Sequence, residues 1–84
     1  LPKPLCHVIL NHHNTHFLAQ NNDEQQRMAY AILKCAESAV DYARHQQYSS
    51  EWFKIKEACF TVLGIVEQDF ADMVEDYVDN AMAS

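Results

Sequence analysis

From residue 5 to residue 84 the chain carries one glycine, Gly64, and no proline; both prolines, Pro2 and Pro4, lie at the N-terminal edge. A many-stranded β fold needs turn residues at short intervals. A chain so poor in them is confined to helices, and the apolar spacing agrees. From residue 22 to 47, Met28, Ile32, Cys35, Ala39, Tyr42 and Ala43 recur at three- and four-residue steps, the period of one helical face. Asn21 or Asn22 is placed to cap that helix, ahead of Asp23-Glu24-Gln25 in its first turn. From residue 50 to 82 a second stripe runs through Trp52, Ile55, Cys59, Val62, Leu63, Val66, Phe70, Met73, Val74 and Tyr77. Ser49 or Ser50 is its natural N-cap. The stripe keeps its phase across Gly64, so the spacing predicts one helix with a local bend at most.

The fold class expected is therefore all-α. A long antiparallel helical hairpin, about 22–47 and 50–82, forms a single domain with a His-rich N-terminal cover over residues 1–20. The cover reads either as a short helix, with Leu5, Val8, Ile9 and His12 on one face, or as a hairpin around 11–14. The helix is favoured because an isolated hairpin is marginal without a sheet to join. A continuous second helix would be about 48 Å long, whereas a globule of this size has a radius of gyration of about 12 Å. On the first helix, Ala29, Leu33, Ala36 and Val40 add a second apolar strip, making an arc wider than one hairpin partner covers. Both points predict a homodimer, two hairpins forming a four-helix bundle.

Charge is distributed unevenly. All six basic residues and six of the acids fall before residue 58; six more acids follow with no base among them. The formal charge of -6 thus belongs to the last third. Asp69, Asp72, Glu75, Asp76 and Asp79 lie opposite the apolar stripe. Acids toward a helix C-terminus oppose the macrodipole, which asks for a reason beyond helix stability. A solvated face that keeps the chain soluble is the plainest account. Docking of a basic partner protein is the second, and imitation of nucleic-acid charge to inhibit a basic protein is the third. A net acidic chain without a basic cluster is not suited to bind nucleic acid or an anionic membrane directly.

Phe53 and Phe60 fall on a flanking strip beside Gly64 and are expected to form an apolar partner surface. In the cover, Cys6, His12 and His16 are candidate metal ligands: on a helix, His12 and His16 would be i and i+4 on one face, and imidazole suits Zn or a related transition metal. Cys35 and Cys59 sit on the apolar stripes as small hydrophobes. Three cysteines at irregular spacing form no secreted disulfide framework, so a cytoplasmic, reduced setting is expected. No apolar run approaches a membrane span. There is no Gly-rich phosphate loop, nucleophile elbow or Glu-x-x-His pair. The function expected is non-enzymatic: a small acidic binding or regulatory protein that docks a partner through the acidic face or the Phe53/Phe60 strip, with no resident cofactor. A metal-binding or metal-sensing role for the His-rich segment is the alternative.

Overall fold

In the computed structural model, which describes residues 3–83, every regular element is helical. The side chains of Pro4, Leu5, Met82 and Ala83 lie outside the described set. Five helices follow in order among the described residues: α1 (Lys3–Leu10), α2 (Phe17–Gln20), α3 (Glu24–His45), α4 (Ser50–Leu63) and α5 (Glu67–Ala83). The N-terminal cover is thus two short helices joined by turns, not a hairpin.

Helix α3 is the element on which α1, α2, α4 and α5 all pack. Asp23, not Asn21 or Asn22, caps it: its carboxylate accepts from the Gln26 backbone N–H at 3.1 Å. Asn21 instead accepts from the Asp23 N–H at 2.8 Å and shapes the approach. At the other end Gln46 takes a left-handed conformation, φ 58°, and its N–H returns to the Tyr42 carbonyl. The chain reverses there, and Ser49 caps α4 by accepting from the Trp52 N–H at 3.2 Å.

The expected helix over 50–82 is two helices. Gly64 adopts φ 69°, a conformation glycine enters without Cβ strain. Its N–H reaches the Thr61 carbonyl, and the Ile65 N–H reaches the Phe60 carbonyl at 3.1 Å. That pair of bonds is the Schellman ending, which satisfies the last carbonyls of α4. Asp69 then closes the start of α5 by accepting from the Val66 N–H at 3.2 Å. The apolar phase carries across Gly64 because residues on both sides are needed inside, although they belong to helices with different axes. The break also removes the length argument for a second copy. The folded chain has a radius of gyration of 13.2 Å and extents of 38 × 26 × 21 Å, so no overhanging rod remains to be covered.

The core has two centres along α3. Near the cover, Phe17 stacks on Tyr30 with ring centroids 4.7 Å apart, and the Tyr30 hydroxyl donates to the Asn14 carbonyl at 2.8 Å. Val8 and Leu18 are buried beside them. Toward the other end, Trp52, Phe60 and Phe70 form a triangle with centroid separations of 5.7, 5.1 and 5.4 Å. Phe70 is the contribution of α5, and Val74 is buried one turn later.

Candidate docking site

The break at Gly64 turns α5 back along α3, and the two helices leave an apolar groove between them of about 480 Å³. Cys35, Ala36 and Ala39 of α3 make a floor of small side chains. Leu63 and Ile65 close one end, and Phe70, Met73, Val74 and Tyr77 form the α5 wall. Ile32, Met73 and Tyr77 on its edges are 56%, 53% and 44% exposed. These three were expected in a core stripe. Ile32 belongs to an arc of α3 wider than α4 and α5 together cover, and Met73 and Tyr77 lie on the α5 face beside it, so this side remains open.

The five acids of α5 do not act as one line. At roughly 100° per residue, Asp69 and Asp76 follow Met73 within about 60° on the side away from the buried Val74, which places them toward the outer rim of the groove, and Asp72 lies farther round, opposite the buried face. Glu75 and Asp79 line a different cleft of about 500 Å³ with Tyr42 and Tyr48. Those two rings are stacked at 4.9 Å. All five carboxylates are on exposed residues. None has an ion-pair partner among the described residues. Two have local hydrogen bonds: Asp69 with the Val66 N–H, and Asp72 with Gln68 Nε2 at 2.9 Å. The break also revises the dipole argument. Glu67 and Asp69 now stand in the first turn of α5, where negative charge is favourable, while Asp76 and Asp79 remain in the half where it is not.

The Phe53/Phe60 strip is not a surface. Phe60 is 4% exposed inside the aromatic triangle, because the left-handed turn at Gly64 brings α5 and Phe70 over it. Phe53 alone stays out, at 58% exposure, with the Lys56 ammonium 5.3 Å from its ring centroid.

The candidate metal ligands are spread apart by local structure. Helix α1 ends at Leu10, so His12 lies in the turn that follows it and His16 immediately precedes α2. They do not share a helical face. Cys6 is half-buried on α1. Among the described residues no three His, Cys, Asp or Glu side chains form a group that could hold a metal ion. His12 instead meets the Ile9 carbonyl through Nδ1 and stands 3.9 Å from Glu37 through Nε2.

One buried charge was not foreseen. Lys34 is buried on α3 and pairs with Glu51 of α4 at 2.7 Å and with Glu37 at 3.3 Å. The signal for it was a lone cation inside the run Ile32-Leu33-Lys34-Cys35-Ala36. A cavity of about 170 Å³ adjoins it, lined also by His13, Ser38 and Asp41. Cys35 and Cys59 are buried thiols in no disulfide. Burial pushes the Cys35 thiol up to about 11. Burial, reinforced by Cys35 and opposed by Lys34, pushes the Cys59 thiol up to about 12. Protonated at neutral pH, both lack the thiolate that a nucleophile requires. No helix among the described residues is long and apolar enough to cross a membrane. The chain matches no family of known proteins, no characterised protein and no solved structure, so its function is read from this geometry.

Proposed function

We propose that the chain is a non-enzymatic docking protein that receives a partner protein on the groove between α3 and α5. The observation that carries this reading is the adjacency of two unlike surfaces. A contiguous apolar floor and wall, with Ile32, Met73 and Tyr77 open to solvent, runs beside carboxylates at positions 69, 72 and 76 that pair with no base among the described residues. A dense acidic edge keeps the open apolar face soluble and selects basic partners by steering their approach. Burial of the three edge side chains supplies the favourable apolar term, from which the ordering costs of association are subtracted.

Pairing of two copies into a four-helix bundle would use the same groove, and inhibition of a nucleic-acid-binding protein would use the same acids. Both are forms of this reading with a named occupant. The test is recovery of partners from the source cells by the wild-type chain, by Ile32→Asp, and by a triple reversal of Asp72, Asp76 and Asp79 to Lys. Circular dichroism confirms that each variant is folded. Partner recovery should fall in both variants. Undiminished recovery by both would leave the groove and the acids as ordinary solvated surface.

A further inference from the structure

We infer that the occupant of the groove is an amphipathic α-helix carrying lysine or arginine along one flank. This rests on the docking reading above and specifies the partner's secondary structure and charge. The groove runs from Ile32 to Ala39 on α3 and from Phe70 to Tyr77 on α5. Each wall therefore spans about 10 Å, two helical turns. A segment filling it presents apolar side chains at i, i+3 or i+4, and i+7, the spacing of helix-in-groove recognition.

Backbone chemistry selects a helix over an extended segment. The groove is built from two helices, whose peptide groups are bonded within themselves. An extended peptide would lay its own N–H and C=O groups against apolar side chains with nothing to receive them, at a penalty for each group. A helix arrives with those groups already paired. The floor suits it as well: Cys35, Ala36 and Ala39 allow the close axial approach that small residues permit. Met73 on the wall is unbranched and adapts to differing side chains.

Charge selects the flank. On α5, Asp69 and Asp76 stand just outside Met73, with Asp72 beyond them. On α3 the corresponding arc beyond Ile32 continues through Ala29 and Val40, and its carboxylates, Glu37 and Asp41, come only farther round, in a cleft with Leu33 and Val40. The acids nearest the groove are therefore those of α5. Bases at three- and four-residue steps on the flank facing α5 would meet the acids at 69, 72 and 76, while the opposite flank can be neutral. A second copy fits less well. Each carries a formal charge of -6, and α5 against α5 sets acid on acid. The stretch that could compete is α1 of another copy, with Lys3, His7 and the exposed Ile9 and Leu10.

Three labelled helical peptides of about 25 residues, above the length at which isolated helices are marginal in water, test the inference against the full chain by fluorescence anisotropy. Two share one apolar stripe and differ only in a Lys or a Glu flank. The third keeps the Lys residues and scrambles the stripe. The Lys-flanked peptide should bind, and the other two should bind at least tenfold more weakly. Joint replacement of Asp69, Asp72 and Asp76 by Asn should weaken the Lys peptide about tenfold, the sum of three exposed pairs. Ile32→Asp should abolish its binding. Because Asp69 also closes the start of α5, a double variant at Asp72 and Asp76 alone keeps the charge test independent of folding. Equal binding of the Lys and Glu peptides would overturn the charge selection and leave groove docking intact. Equal binding of the scrambled peptide would overturn the groove as the site. If no peptide binds while partner recovery still depends on Ile32, the helical occupant is wrong and the docking reading survives. If recovery is also indifferent to Ile32, both fall. A wild-type chain that sediments as a dimer, and as a monomer once Ile32 is Asp, would make the occupant a second copy and overturn the inference.

Discussion

Lys34 on α3 and Glu51 in the first turn of α4 meet at 2.7 Å, and the lysine side chain is only 7% exposed. Glu37 joins them from 3.3 Å. Its Oε1 is buried without a hydrogen bond and is held by the field of the ammonium. A pair of this kind tolerates joint replacement better than the loss of one member, because a single loss strands a buried charge. Glu51→Gln leaves Lys34 with Glu37 alone and should destabilise by about 1 kcal/mol. Lys34→Met, which takes the ammonium from both carboxylates, should cost more, and in the double variant Lys34→Met/Glu51→Gln part of that larger loss should be recovered. Urea unfolding of both singles and the double gives the coupling directly, and a coupling near zero would remove this pair as a clamp between α3 and α4.

The two phenylalanines once grouped on one strip should separate. Phe60→Ala empties a place between Trp52 and Phe70 and should cost about 3–5 kcal/mol. Phe53→Ala, on an exposed site, should stay within about 0.5 kcal/mol. Thermal melts of the two variants suffice, and similar melting temperatures would contradict the aromatic triangle.

A Cβ added at Gly64 meets no atom within 4 Å, so the effect of Gly64→Ala isolates backbone conformation from packing. The left-handed φ alone should cost about 1 kcal/mol, and Gly64→Asn should cost less because Asn tolerates that region. An alanine variant as stable as the wild type would mean that the turn can be replaced by continued helix.

Alkaline pH should weaken the fold. Burial first, then the neighbouring Cys59 and the Glu51 and Glu37 carboxylates, push the Tyr30 hydroxyl up to about 12. Cys35 and Cys59 are raised by burial as described. Each group holds its proton more tightly when folded. Below its unfolded value of about 9 for a thiol or 10 for tyrosine, both states are protonated and stability is insensitive to it. As pH rises through that value toward the folded one, the unfolded chain ionises first and stability declines. Unfolding midpoints should hold between pH 7 and 8.5 on account of these groups and fall from pH 9 upward. Native Cys35 and Cys59 should also resist iodoacetamide at pH 8 and react once urea is added.

Asp76 and Asp79 lie where the α5 macrodipole is negative, and the last turn of α5 contains no base. Replacing Asp79, the nearer to the last turn, by Lys should stabilise the isolated chain by about 0.3 kcal/mol, and replacing Asp76 by less. The Asp76 change, in the docking reading, also weakens capture of a basic partner. A variant that gains stability and binds undiminished would show the acids to serve neither role.

How much of this was legible before folding depended on whether a residue's role was local or shared. Ser49 as a cap, the helical arc of α3 and the burial of Trp52, Ile55 and Cys59 follow from spacing within one segment. The cap at Asp23 differed by one or two residues because Asn21 and Asn22 are equally good candidates when the approach is unseen. The break at Gly64 was hidden by the stripe itself. Leu63 and Phe70 stay in phase although their helices diverge, and periodicity records which residues are needed inside, not along which axis. Phe60 went the same way: its burial depends on Phe70 arriving from α5. The groove was half visible. The excess width of the apolar arc was present in the sequence, but it was assigned to a second copy rather than to a cleft between α3 and α5.

Because α5 is joined to α4 yet rests chiefly on α3, with Phe70 and Val74 as its buried residues, one wall of the groove belongs to a helix tied less tightly to α3 than α4 is. The width of such a groove is set partly by what fills it. An occupant would hold α5 against α3 from outside, and exchange of the α5 peptide hydrogens would then slow more than that of α4, which already has a full partner. The side of the molecule open to recognition is also the side that recognition would make rigid.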